Sequence, residues 1–94
     1  MKFTEIGPNK VRSDQGFVLW MQSPFQIHYS EGDLEIVVPG EMLTGESELL
    51  VSVSTIRNWD KPHDAEVISP ARRDQIISNI GEALTHMGVR YEFD

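Results

Sequence analysis

Apolar and polar positions alternate with period two through the first half of the chain, then recur at spacings of three and four in the second. Phe25, Ile27 and Tyr29 face one way, with Gln26 and His28 facing the other, the signature of a strand with one covered face. Ser30-Glu31-Gly32-Asp33 reads as a hairpin turn in which Gly32 supplies positive φ. Leu34, Ile36 and Val38 resume the alternation, and Pro39-Gly40 is expected to stop that strand. Leu49, Val51 and Val53 share a face in a further short strand. The run from Gly16 to Met21 is apolar throughout, so alternation assigns it to neither face. Residues 1–15, containing Gly7-Pro8-Asn9, read as either a hairpin or a loose arm.

From Ser69-Pro70 the period changes. Serine at an N-cap bonds a free backbone N–H, and proline fits the first turn of a helix. Ile76, Ile77, Ile80, Ala83, Leu84 and Met87 then form one apolar stripe. Gly81 interrupts the stripe at a cost of about 1 kcal/mol relative to alanine, which points to something packing closely against it. Gly88 is placed to end the helix in the left-handed conformation, and Val89, Tyr91 and Phe93 alternate in a last strand. The expected architecture is α+β: an antiparallel sheet of about four to six strands, one long helix over about 70–87 packed on one face, and a final strand at 89–93.

The 94 residues form one domain, 1–94, with no repeat or linker long enough to divide it. No apolar run approaches the roughly 20 residues that span a bilayer, so no membrane partner is expected. The start, Met1-Lys2-Phe3-Thr4-Glu5, carries a charge inside what would have to be the apolar stretch of a signal peptide, and the expected location is the cytosol. With no cysteine there is neither a disulfide framework nor a thiolate for catalysis or zinc. The three histidines, His28, His63 and His86, fall on a strand, a loop and a helix end. No nucleophile elbow, HExxH, calcium loop or phosphate-cradling glycine loop accompanies them. No catalytic residue, cofactor or dedicated metal site is therefore assigned, although acidic loops can catch a divalent cation adventitiously. A minor enzymatic reading rests on His63 with Asp64.

Charge adds a stronger constraint. Residues 14–56 hold seven acids (Asp14, Glu31, Asp33, Glu35, Glu41, Glu46 and Glu48) and no lysine or arginine, which accounts for the whole net charge of −7. Such a field repels phosphate, so nucleic acid is not the expected partner; it attracts a basic protein and speeds the encounter. Glu31, Asp33, Glu35, Glu41, Glu46 and Glu48 are the candidate binding residues, against the simpler reading of a solvated face. Trp59 reads as a plug closing one end of the core or as an exposed anchor for a partner. Trp20 carries the same ambiguity, and a solvent-facing Trp20 is the more telling of the two.

One resemblance carries the reading further. Ser-Thr-Ile-Arg-Asn-Trp-Asp-Lys-Pro at 54–62, the Ile-Ile-x-x-Ile-x-x-Ala-Leu helix ending in Met-Gly at 76–88, and Gly-Glu-Met-Leu-Thr-Gly at 40–45 resemble a family of small immunity proteins. These accompany bacterial polymorphic toxins, including those of contact-dependent inhibition, and the resemblance spans roughly residues 32–93. It implies a small, acidic, non-catalytic cytosolic protein that binds one cognate toxin domain and blocks it. The motif residues Ser54, Ile56, Trp59 and Pro62 look structural, so the toxin-binding expectation rests on the acids alone. The alternative from another class is a general adaptor module that binds a basic partner.

Overall fold

The structure, a computed structural model, describes residues 1–94. Strands β1 (Phe3–Gly7), β2 (Lys10–Ser13), β3 (Val18–Ser23), β4 (Gln26–Glu31), β5 (Leu34–Met42) and β6 (Leu49–Val51) follow one another as a meander. A short 3-10 turn, Val53–Thr55, and a long connection then lead to helix α1 (Pro70–His86) and strand β7 (Tyr91–Phe93). The seven strands form one sheet in sequential order, antiparallel except for β6 and β7, which run parallel. That exception follows from connectivity: α1 carries the chain back across the sheet, and a helical crossover returns the next strand in the same direction.

The expected sheet of four to six strands is exceeded because residues 1–13 make a full hairpin rather than an arm. Asn9 takes φ +53° in its turn, and β2 pairs with β3 through Lys10 opposite Trp20 and Val11 opposite Leu19. Nor does β5 stop at Pro39-Gly40. An extended residue directs its N–H and C=O to the same side, and the Pro39 carbonyl accepts from Ser52 N–H at 3.0 Å. The donor that proline lacks therefore faces the side where the β6 ladder has not begun, so the strand continues through Gly40 to Met42. Residues 35–37 of β5 lack a strand on that side. Asp60 occupies the edge: its N–H donates to Glu35 O at 2.7 Å, and its carboxylate accepts from Val37 N–H at 3.1 Å.

The core lies between one sheet face and α1. Val11, Leu19, Ile27, Tyr29, Ile36, Val38, Leu49 and Val51 from the strands meet Ile76, Ile80, Ala83 and Leu84 from the helix. The helix begins as expected, with Ser69 Oγ accepting from Arg72 N–H at 3.2 Å. It ends with Gly88 at φ +76°, where Gly88 N–H donates to Thr85 O and Val89 N–H to Leu84 O at 3.1 and 3.0 Å. This double closure satisfies the last carbonyls. It also uses the Val89 N–H, so the final strand starts at Tyr91 and not at 89. Gly81 has the expected close neighbour: a Cβ there would lie 2.7 Å from the Tyr91 hydroxyl and 3.5 Å from the Phe93 ring. Trp59 is the plug, 5% exposed and stacked against Tyr29 with ring centroids 6.4 Å apart.

Gly40 is the tightest point of the sheet. An added Cβ would sit 2.2 Å from the Pro24 backbone oxygen and 3.1–3.2 Å from Ile27 and Leu49. The nearest obstacle is backbone, so it cannot swing away. Gly40→Ala is expected to cost about 1–3 kcal/mol, the usual range for overpacking, read as a lower urea midpoint with an unchanged slope.

Candidate partner-binding surfaces

The six candidate carboxylates do not form one face. Glu31, at the end of β4, turns toward the helix, where its carboxylate pairs with the Arg72 guanidinium and accepts from the Tyr29 hydroxyl. Asn79 Nδ2 donates to the same hydroxyl at 2.9 Å, and Arg72 Nη1 donates to Gln75 Oε1 at 2.7 Å. Burial pushes the Tyr29 phenol above its ordinary value, opposed by the Asn79 hydrogen bond and the Arg72 charge. This polar cluster ties β4 to the first turns of α1, and only 21% of the Glu31 side chain is exposed. Glu31 is an internal ion-pair member, not part of an open acidic surface.

Glu48 is also paired, on the surface, with Arg90 Nε 3.2 Å from Oε1. The Arg90 backbone N–H, and then its guanidinium, hold the Glu48 carboxyl below its ordinary range. Asp33, Glu35, Glu41 and Glu46 remain exposed and carry no ion pair. They fall into two groups. Asp33 and Glu35 border the Gly32 turn at one end of β5, with Glu41 and Glu46 at and beyond the other. Six residues of extended chain separate Glu35 from Glu41, roughly 20 Å. The single patch expected from the charge count is thus divided, because one nine-residue strand carries its acids at opposite ends.

The motif residues sit where a structural role would put them. Ile56 is fully buried and Trp59 nearly so. Ser54 sits in the middle of the 3-10 turn and clamps Asp94: its N–H and Oγ donate to the two Asp94 carboxylate oxygens at 3.0 and 2.6 Å. Pro62 is exposed, after a cis Lys61–Pro62 peptide. From α1, Arg73 reaches back to the same turn, Nε donating to Ile56 O at 3.2 Å and Nη2 to Val53 O at 3.3 Å. Those bonds occupy the guanidinium beside an open cavity of about 570 Å³ lined by Ser54, Arg57, Asn58 and Val67.

The sheet face away from the helix holds a group that periodicity did not reveal. Register aligns Lys10, Trp20, His28 and Val37 across four strands. Lys10 Nζ lies 5.4 Å from the Trp20 ring centroid, and the His28 ring lies 4.8 Å from it. Trp20 therefore faces solvent-side but is half-covered by its neighbours. His28 bonds Gln22 Oε1 at 3.0 Å, while His86 packs on Phe3 at 5.0 Å on the helix side. His63 lies in the connecting loop, so the three histidines do not converge. No three His, Asp or Glu side chains gather as a metal cluster, and no helix is long and apolar enough to cross a membrane.

The family model for Immunity protein 74 matches residues 22–94, spanning β4 to β7, α1 and all six candidate acids. The chain belongs to the Immunity protein 74 family. Comparison with curated proteins and with solved structures yields no match. Within this family member, β1, β2 and most of β3 lie outside the matched segment. That hairpin extends the sheet and supplies Lys10 and Arg12, two of the eight basic residues.

The Ser54 clamp carries a pH signature. The Ser54 hydroxyl, then its backbone N–H, hold the Asp94 carboxyl below its ordinary value of 3.8. A depressed carboxyl stabilises the fold above its unfolded value and loses that contribution as the pH falls through the lowered folded value. Ser54→Ala is expected to melt below the wild type near neutral pH. The gap should narrow once the pH drops beneath 3.8, as paired thermal melts across the acid range would show.

Proposed function

We propose that this family member binds a cognate bacterial toxin domain and neutralises it in the cytosol of the producing or neighbouring cell. Inhibition is steric and electrostatic, and no step of it requires turnover. Membership in the Immunity protein 74 family carries this reading. The charge distribution supports a basic target, of which a nuclease domain with a cationic cleft is the natural example. Steering and locking are physically separate tasks. Steering acts through the summed field, over a Debye length of about 8–10 Å in ordinary salt, and it does not need one contiguous patch. Asp33, Glu35, Glu41 and Glu46 retain free charge for it; Glu48 shares its charge with Arg90 and Glu31 spends its own inside the fold.

A protein that must reach a toxin before damage is done gains from fast association, and charge steering raises on-rates most at low salt. Co-expression with the C-terminal domain encoded directly upstream is expected to rescue growth that the domain alone arrests. Asp33→Asn, Glu35→Gln, Glu41→Gln and Glu46→Gln combined should slow association several-fold at low ionic strength and flatten its salt dependence. Continued growth arrest on co-expression overturns the immunity reading; an unaltered on-rate in stopped-flow removes the electrostatic part alone.

A further inference from the structure

Two large apolar side chains stand exposed at one end of the sheet, one of them at a position whose register assigns it to the covered face. Phe25 is 59% exposed and Met42 64%. Phe25 lies in the turn that leads into β4, and Met42 continues the inward series of Ile36 and Val38 on β5, opposite the buried Leu49.

The backbone brings them together. Gly40 N–H donates to Phe25 O at 3.2 Å, and the missing Cβ at Gly40 lets the Pro24 carbonyl close over the strand. Met42 follows two residues later, about 7 Å along β5. Their surroundings carry charge of one sign. Glu41 precedes Met42 and, by strand alternation, stands on the opposite face at the same end of β5, and Glu46 stands in the loop that Leu43 N–H closes on Glu48 O at 2.9 Å. The nearby Arg90 is engaged by Glu48, and the chain has no lysine or arginine from residue 13 to residue 56. Single exposed apolar residues need no explanation. An aromatic and a methionine exposed at the same end of the sheet, with carboxylates beside them, have the composition of an interface centre.

We infer that Phe25 and Met42, flanked by Glu41 and Glu46 at the same end of the sheet, form the anchor by which this protein locks onto the cognate toxin domain, inserting into an apolar notch bordered by lysine or arginine. The inference rests on the immunity reading and assigns it a contact surface. Charge selects the occupant: a second copy of this chain would bring four like charges together, whereas a basic domain neutralises them. The other aromatic candidate is weaker as an anchor, because Trp20 is already covered by Lys10 and His28. Since the anchor contributes only after docking, its loss appears in dissociation and not in association.

The test uses the full chain and a catalytically inactivated form of the toxin domain encoded directly upstream. Phe25→Ser with Met42→Ser is expected to speed dissociation at least tenfold, the scale of an interface hot spot, at an unchanged unfolding midpoint. Glu41→Lys with Glu46→Lys, which alters no buried group, should weaken binding as strongly, while Asp33→Asn with Glu35→Gln at the far end leaves dissociation unchanged. Dissociation within twofold of wild type for both the serine and lysine pairs overturns the anchor and leaves the immunity reading standing. Failure of the wild-type chain to bind the inactivated domain overturns both.

Discussion

One helix has to cover a seven-stranded sheet, and it cannot cover all of it. At 1.5 Å per residue, α1 is roughly 25 Å long and presents a stripe about 10 Å wide. Six interstrand spacings make the sheet roughly 29 Å across, and β5 alone runs roughly 30 Å along its axis. The helix therefore covers only part of the sheet face, and everything outside that part needs another solution. Trp59 and Ile56 close one end, with Ile68 beside them in the core. Tyr91 and Phe93 pack under Gly81 at the β7 edge. At the Phe25–Met42 end both side chains stay mostly exposed.

The same limit sorts the carboxylates. Glu31 lies within reach of the first turns of the helix, so it is drawn into the cluster with Arg72, Tyr29 and Asn79 and serves the fold. A partly buried charge has to be paired to be tolerated, and Arg72 supplies that pair. Acids farther from the helix stay in water, where pairing is optional and worth little. Glu48 finds Arg90 because β7 runs beside β6. Asp33, Glu35, Glu41 and Glu46 find nothing, and their charge remains available to a partner.

The basic residues are arranged in the complementary way. Arg72 and Arg73 both face inward from α1, one to Glu31 and one to the carbonyls of Val53 and Ile56. Lys10 is laid over Trp20 on the helix-free face. No lysine or arginine forms an ion pair with Asp33, Glu35, Glu41 or Glu46 at the two ends of β5. The immunity-family assignment and the electrostatics are independent observations: the first follows from the match over residues 22–94, the second from which carboxylates the fold pairs.

Periodicity alone determined the α+β class, the helix from Ser69-Pro70 to Gly88, the Gly32 hairpin and the close packing at Gly81, because each depends on residues near one another in sequence. The plug role of Trp59 was one of two legible readings, and the cation-free segment was plain from the count. Tertiary structure decided the rest. Register, which no local pattern specifies, turned the first thirteen residues into two strands and set Trp20 beside Lys10 and His28. A hydrogen bond across 23 residues let Asp60 guard the β5 edge, and one across 41 residues drew Glu31 out of the acidic set. Charge is a property of composition, but its availability depends on which opposite charges the fold brings within reach, and that is settled only when distant segments meet.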